Sequence, residues 1–401
     1  MPATPFASVP LAPRDPILGL NEQFGADPRA DKVNLGVGVY YDAEGRLPLL
    51  GSVRAVEAER AKAGPARGYL PIDGIAQYNR AVQSLLFGAG APLLAEGRVA
   101  TVQTLGGTGA LKVGADLLHR FLPQAGAWIS DPSWENHRAL FEGAGFTVSN
   151  YPYYDARGNG LDIEGMIGSL TGMPADSVVV LHACCHNPTG IDPTPAQWDR
   201  IVATCVERGL MPFLDIAYQG FAEGIEQDAA VVRKFAAAGV DFLVASSFSK
   251  SFSLYGERVG ALTVVCASRD EAQRVLSQLK RVIRTNYSNP PTHGGTLVAT
   301  VLDTPDLRTQ WEAELAGMRE RIRAMRGQLV AKLRERGVTR DYGFLERQRG
   351  MFSYTGLSAA QVDRLREEFG VYAVSTGRIC MAAINARNID RVADAIAAVS
   401  R

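Results

Sequence analysis

Between Val99 and Cys266 the chain alternates short, almost wholly apolar runs with longer stretches whose apolar residues recur at helical spacing. Short apolar runs set between helical stretches read as strands buried on both faces, and the amphipathic stretches read as the helices that cover them. The strands predicted this way are Val99–Thr104, Ala127–Ser130, Phe146–Tyr151, Ser177–His182, Met211–Asp215, Phe242–Ser246 and Gly260–Cys266. Helices are predicted at Ala110–Leu122, Glu135–Ala144, Ala196–Arg208 and Glu271–Val282. The pattern predicts an α/β fold with a mainly parallel sheet flanked by helices. Ligands of such sheets bind beyond the carboxyl ends of the strands, so chemistry is sought just after each run.

Beyond Pro305 the rhythm changes. A long amphipathic helix, Leu307–Arg336, with arginines along one face, leads to a strand at Met351–Tyr354 and a helix at Ser358–Phe369. A strand through Val371–Met381 and a last helix from Asn388 follow. This is a compact α+β unit, which the V-N-L-G-V-G-V-Y run at Val33–Tyr40 is expected to join. The expected division is a large domain over 46–306 and a smaller, discontinuous α+β domain over 1–45 and 307–401. No repeat, linker or low-complexity tract interrupts the chain.

Composition narrows the function. The 401 residues are 46% apolar, enough for a large core, and 42 basic residues balance 42 acidic ones. Zero formal charge speaks against nucleic-acid or membrane-surface binding driven by bulk charge. No apolar run approaches the roughly 20 residues of a transmembrane helix. Met1 to Pro16 has no basic segment leading into an apolar stretch, so no signal peptide is expected. Five cysteines without framework spacing suit a reducing, cytoplasmic compartment. One bias matters more: the chain has 35 arginines and only seven lysines. A lysine in a conspicuous setting is then there for its primary amine.

Such a lysine lies in S-S-F-S-K-S-F-S-L-Y-G-E-R, Ser246 to Arg258, at the end of a predicted strand. Lys250 is hemmed by Phe248 and Phe252, and a dry surround lowers a lysine's pKa and frees its amine for a Schiff base. Ser247, Ser249 and Arg258 are good phosphate ligands. A surface lysine near a Ser-rich turn is the plainer explanation, and the scarcity of lysine disfavours it. In T-L-G-G-T-G-A-L-K, Thr104 to Lys112, glycines at a strand-to-helix turn let backbone N–H groups approach an anion, with the Thr108 hydroxyl nearby. Alone that signal is weak, because such turns often serve packing only, and it lacks the spacing of a nucleotide loop.

In F-L-D-I-A-Y-Q-G-F, Phe213 to Phe221, Asp215 closes an apolar strand, where a carboxylate needs a cationic partner or a helix to cap. Tyr218 lies three residues on. In H-A-C-C-H-N-P-T-G, His182 to Gly190, the four Cys and His residues resemble a metal cluster, but strand alternation keeps them from converging, and no metal site is expected. Asn187 in the N-P-T-G turn is the better feature, able to hydrogen-bond a ligand. Trp134 in D-P-S-W-E-N-H offers a flat face for an aromatic ligand, or fills the core, with His137 nearby. Arg378 in S-T-G-R-I-C sits in an apolar strand and needs an anion there, either a ligand carboxylate held bidentately or a structural salt bridge.

Taken together, these segments resemble the class I aminotransferases of fold type I, and within them the bacterial aromatic-amino-acid and aspartate branch. The resemblance runs from D-P-I-L-G-L at Asp15–Leu20 to the last helix. It is carried most specifically by S-F-S-K-x-F-S-L-Y-G-E-R-V-G, C-C-H-N-P-T-G and F-L-D-I-A-Y-Q-G-F. The stretch Gly350–Tyr372 is more like the aromatic enzymes. The resemblance implies a large domain built on a seven-stranded sheet and pyridoxal phosphate as cofactor, with Lys250 joined to its aldehyde and later moving the substrate proton. Asp215 would pair with the ring nitrogen, supported by His137. Tyr218 and Asn187 would bond the phenolic oxygen, and Trp134 would stack on the ring. Gly107, Thr108, Ser247, Ser249 and Arg258 would hold the phosphate. Arg378 would grip the substrate α-carboxylate with help from Asn187 and the backbone at Gly38.

The family's members are dimers with shared sites, so Tyr69 would reach the neighbouring subunit's phosphate and Arg284 the distal carboxylate of a substrate in the neighbour's site. The implied activity is transfer of amino groups between aromatic amino acids and 2-oxoglutarate, with activity on aspartate and glutamate; an aspartate-preferring enzyme is the alternative. An apolar ring would leave Arg284 unpaired, so Arg284 is expected to swing outward for aromatic substrates. Decarboxylation, elimination or racemisation would share Lys250 and Asp215, but the Arg378 and Arg284 pair suits transamination. A non-catalytic regulator would be expected to lack the lysine.

Overall fold

All seven runs form strands of one sheet: β1 (Val99–Leu105), β2 (Ala127–Asp131), β3 (Val148–Pro152), β4 (Val178–His182), β5 (Met211–Ile216), β6 (Phe242–Ser247) and β7 (Val259–Val265). The structure, a computed structural model, describes residues 4, 6–12 and 17–401, without the side chain of Leu18. Asp15 and Pro16, which open D-P-I-L-G-L, and part of the Met1 to Pro16 segment considered for a signal peptide lie outside the described residues. The strand order is β1-β7-β6-β5-β4-β2-β3. Strand β7 runs antiparallel to both its neighbours, and the other pairings are parallel.

Apolar continuity has a direct cause in the packing. Alternate side chains of a strand point to opposite faces: Val178 and Val180 join one core, while Val179 and Leu181 join the other. Strands β4, β6 and β7 have every residue buried. Helix α1 (Gly106–Phe121) lies on one face, and a Cβ at Gly114 would sit 2.4 Å from the Phe213 ring. The glycine there lets the helix rest directly on β5.

The later helices follow the expected places. They are α2 (Glu135–Glu142), α3 (Pro195–Arg208), α4 (Arg269–Asn286), α5 (Pro305–Glu335), α6 (Ala359–Phe369) and α7 (Ile389–Val399). Capping boxes start α3 (Thr194 with Gln197) and α6 (Ser358 with Gln361), and left-handed Gly209 and Gly370 stop them. Several arginines of α5 dock loops. Arg321 donates from Nε to the Tyr40 hydroxyl at 3.0 Å and from Nη1 to the Ile384 carbonyl at 2.8 Å, while Arg319 and Arg323 reach the Gly220 and Ala222 carbonyls.

One expected element divides. Val371–Met381 is not a single strand: Val371–Tyr372 pairs in parallel with Val33–Asn34, and Arg378–Cys380 pairs antiparallel with Phe352–Tyr354. The chain turns between them, with the Gly377 N–H bonded to the Val374 carbonyl and Gly377 at φ +85°. Apolarity alone does not report which partner a strand residue pairs with. The first pairing also ties the Val33–Tyr40 run to the C-terminal elements. Helices at Gly51–Ala63, Ala76–Phe87, Ile163–Gly172 and Thr292–Asp303 were not singled out by periodicity. The last contains Gly294 and Gly295, which weaken helix propensity, yet a Cβ on either would collide with Val259 or Gln103.

Candidate active site

A cavity of about 220 Å³ opens past the carboxyl ends of β1, β2, β4, β5 and β6. Each of those strands delivers functional side chains to its wall: Gly107 and Thr108 after β1, Trp134 after β2, Asn187 after β4, Asp215 and Tyr218 from β5, and Ser247, Ser249 and Lys250 from β6. Arg258 enters just before β7, and Gly38 and Arg378 come from the chain's two ends.

The amine sits at the middle of this wall. Lys250 Nζ lies 4.8 Å from the centre of the Tyr218 ring. Burial pushes the Lys250 ammonium down to about 8, with Asp215 opposing the shift and Arg258 and Arg378 adding to it. The dry surround does not come from Phe248 and Phe252 as the sequence suggested. Phe252 stacks on Trp311 at 4.6 Å, and Phe248 meets Tyr78 edge-on, both in the core. The reason is geometric: the chain turns after Ser247, so its phenylalanines point back into protein and its lysine into the cavity.

Asp215 caps no helix. Its Oδ2 lies 3.0 Å from His137 Nε2, and His137 Nδ1 lies 2.9 Å from the Ser133 hydroxyl. Burial would raise the Asp215 carboxyl, but the His137 hydrogen bond and the attraction of its neighbours, the Lys250 ammonium among them, outweigh it and hold the group below its ordinary value. The carboxylate therefore stays anionic at neutral pH. Trp134 packs edge-on against His137 with ring centres 5.3 Å apart, so its indole both lines the cavity and braces the histidine.

An anion cradle lies at the start of α1. No side chain caps this 16-residue helix, which leaves its first N–H groups to whatever occupies the cavity. Arg258 Nη1 donates to Ser249 Oγ at 3.2 Å, and a Cβ on Gly106 would come within 2.5 Å of the Arg258 guanidinium. The glycine keeps that cation in place. Among the described residues, no carboxylate pairs with Arg258 or with Arg378.

Arg378 is 1% exposed. It donates from Nη1 to Asn187 Oδ1 at 3.1 Å and from Nη2 to the Gly36 carbonyl at 2.7 Å, and its Nε is buried without a partner. The Phe352 ring lies 4.3 Å beneath it. The structural salt bridge, the simplest explanation from sequence, is absent among the described residues, and the guanidinium keeps a donor for a ligand.

Tyr69 and Arg284 are not brought to this cavity. Tyr69 is 95% exposed, and Arg284 is exposed with its guanidinium on the Ser288 hydroxyl. Conversely, the cavity wall includes Ile17, Leu111, Tyr255 and Phe352, which sequence reasoning did not single out, and His182, which it weighed only as part of a metal cluster. For His182 a signal existed. Its ring lies 4.9 Å from that of His137 and 4.4 Å from that of His186, and burial holds it at about 3, hence neutral. The Cys and His residues of H-A-C-C-H do not gather into one quartet. His182 groups with His137 and Asp215, while Cys184 and Cys185 face Asp228, whose oxygens already accept four backbone N–H groups.

The arrangement can hold a flat, anionic group with one end on the cradle and the other on Asp215, and a carboxylate on Arg378, with a reactive amine between them. Comparison with known proteins agrees with this chemistry. The family described as aminotransferase class I and II matches residues 30–396. The chain is 62% identical over 394 residues to an aspartate aminotransferase of Pseudomonas aeruginosa, covering 98% of this chain and 99% of that one. It is 54% identical to the aromatic-amino-acid aminotransferase of Escherichia coli K12, covering 98% of this chain and all of the other. A crystal structure of the aromatic-amino-acid aminotransferase from Burkholderia pseudomallei, covalently bound to pyridoxal phosphate, superposes with a TM-score of 0.98 at 64% identity, each chain covered in full.

Proposed function

Because the chain belongs to the class I and II aminotransferases, we propose that it moves amino groups between aromatic amino acids and 2-oxoglutarate, with activity on aspartate and glutamate, using pyridoxal phosphate held at Lys250. The observation that carries this reading is a partly buried amine flanked by two arginines, Arg258 and Arg378, that no protein carboxylate pairs among the described residues.

The site fits that cofactor by its own chemistry. The uncapped start of α1, Ser247, Ser249 and Arg258 suit a phosphate, Asp215 suits a protonated ring nitrogen, and Trp134 suits a ring face. When bound, the cofactor supplies an aldehyde carbon that takes up the amino group and a ring that withdraws electrons. Asp215, kept anionic by His137, would hold the ring nitrogen's proton in place. Tyr218 and Asn187 would orient the phenolic oxygen. Arg378, with a free Nε and a neighbouring Nη pair, would grip the α-carboxylate, helped by Asn187 and the Gly38 backbone. Lys250, whose burial makes its ammonium give up a proton more readily than an ordinary lysine's, would take the proton from the substrate's α-carbon and return it.

Tyr69 and Arg284, exposed on this chain, would complete the site of a second copy, so the active form we propose is a homodimer. A large domain over 46–306 and a discontinuous one over 1–45 and 307–401 would let the cavity close, a division supported by the pairing of Val33–Asn34 with Val371–Tyr372. No helix of the described residues is long and apolar enough to cross a membrane. All five cysteines are unpaired, which supports a cytoplasmic setting.

Borohydride reduction of the purified protein followed by peptide mapping tests the reading: the cofactor's mass should fall on Lys250. A panel of amino donors with 2-oxoglutarate, compared as kcat/KM, then separates the aromatic preference from the aspartate-preferring alternative. The 62% identity to an aspartate aminotransferase keeps that alternative in play.

A further inference from the structure

The turn that presents Asn187 is fastened by a side chain with no role so far. Asp192 Oδ2 accepts the Cys185 N–H at 2.7 Å, and its Oδ1 accepts the His186 N–H at 2.9 Å. These donors belong to the two residues directly before Asn187. Cys185 stands at φ +52°, a left-handed backbone that a residue with a side chain keeps only when its surroundings hold it there.

Other contacts close the turn but leave that task to Asp192. The Gly190 N–H bonds the His186 carbonyl at 2.7 Å, and the Arg349 N–H bonds the Gly190 carbonyl at 2.6 Å. A Cβ on Gly350 would lie 2.4 Å from Cys185 Cβ, so the turn cannot relax toward the 348–352 segment. None of these engages the Cys185 or His186 N–H. Without Asp192 both would lose their acceptor in a partly buried place.

The carboxylate is itself costly to keep. Among the described residues no cation forms an ion pair with Asp192, and burial pushes it up to about 6, opposed by the two N–H groups. The charged groups acting on it from neighbouring elements are Asp228 and Arg349, of opposite sign. A partly buried acid with no counter-ion is retained where its two oxygens are needed.

We propose that Asp192 is a positioning residue for catalysis: its carboxylate fixes the Cys185–His186 backbone so that the Asn187 amide meets Arg378 and the bound substrate. The link to the reaction is the Arg378 Nη1 to Asn187 Oδ1 bond, buried and 3.1 Å long. A shift of the turn is passed to the guanidinium through that bond. The inference rests on the aminotransferase reading of Asn187 and Arg378.

The test is a double-mutant cycle of Asp192→Asn with Asn187→Ala in the holoenzyme. Kinetics, the pH titration of the cofactor's absorbance and amide hydrogen exchange are read together. Asp192→Asn should fold, exchange the Cys185 and His186 amides faster, and raise KM for the amino donor about tenfold, more than it lowers kcat. The absorbance midpoint should move in the same direction as in Asn187→Ala. In the Asn187→Ala background the added effect on KM should fall below about twofold, since the two act through one contact. A loss of thermal stability with unchanged midpoint and KM would overturn the proposal, and so would an undiminished tenfold effect in the Asn187→Ala background. Should Asp192→Asn not fold, Asp192→Glu, which keeps the charge at a different reach, is read by the same cycle against the same two outcomes. A wild-type protein without a cofactor band would instead sink the functional reading, while the exchange data would still report on Asp192.

Discussion

Among the described residues two arginines are buried without a carboxylate partner, and only one of them marks a site. Arg326, 3% exposed, donates from Nε to Ser353 Oγ at 3.0 Å and from Nη2 to the Phe352 carbonyl at 2.9 Å and the Gly350 carbonyl. Burial pushes it down to about 10. Arg378 has fewer acceptors, an idle Nε and a cavity beside it. A buried cation is thus not evidence of ligand binding by itself. What separates the two is that Arg378 leaves its buried Nε without an acceptor and lines the cavity, whereas Arg326 does neither. Arg326 is a tie between α5 and the strand that carries Phe352, and Arg378 is a tie with capacity left over.

Substitutions sharpen the contrast. The largest effect is expected from Arg378→Ala, which should lower kcat/KM on the order of a thousandfold, because charge-assisted hydrogen bonds to a substrate carboxylate contribute about 1.5–3 kcal/mol each. Its thermal midpoint should stay within a few degrees of wild type. Arg326→Met should do the reverse: unfolding free energy should drop by about 3 kcal/mol as carbonyls and a hydroxyl lose their donor, with kcat/KM changed less than tenfold. Urea titration and steady-state kinetics on both variants check the pair, and an Arg378→Ala protein that is mainly unstable would erase the distinction.

A third arginine extends the series outward. Arg284→Leu should lower kcat/KM for aspartate about thirtyfold relative to phenylalanine, because only the former has a distal carboxylate to lose. Equal losses would remove Arg284 from substrate recognition. The smallest effect concerns Lys250, whose pKa Arg258 and Arg378 help to depress. In cofactor-free protein its acylation should rise with pH about a midpoint near 8, and Asp215→Asn should lower that midpoint, since Asp215 favours the ammonium. The sign for stability follows from proton counts. The unfolded chain holds one more proton between about 8 and the ordinary lysine value of 10.5. This group's penalty is therefore full below 8 and is relieved as pH rises through that window.

Much of the site was legible because chemistry at strand ends is local. Lys250, Asp215 and Asn187 each follow an apolar run within a few residues, so the sequence places them in one layer of the fold. What local reading misses is pairing across distance. That Arg378 donates to Asn187 and to the Gly36 carbonyl, rather than to a carboxylate, spans most of the chain. The split of Val371–Met381 into two ladders depends on which partner each half takes, Val33–Asn34 or Phe352–Tyr354, and apolar pattern does not assign partners. The phenylalanines beside Lys250 misled for a related reason: neighbours in sequence fixed the lysine's loop, but the fold turned them to the other side of the backbone. Tyr69 and Arg284 rest on family likeness alone, since on a single chain nothing local distinguishes them from other exposed residues.

The reversed direction of β7 has an outcome for how the reactive centre is anchored. Because β6 ends and β7 begins at the same edge, the chain from Phe248 to Arg258 leaves the sheet and returns to it without a crossover helix. The Lys250 amine and the Arg258 guanidinium thus ride on a single closed bight pinned at both feet by ladder hydrogen bonds. Their separation is set by one short stretch of backbone, and movement elsewhere in the molecule can tilt the pair but hardly pull it apart.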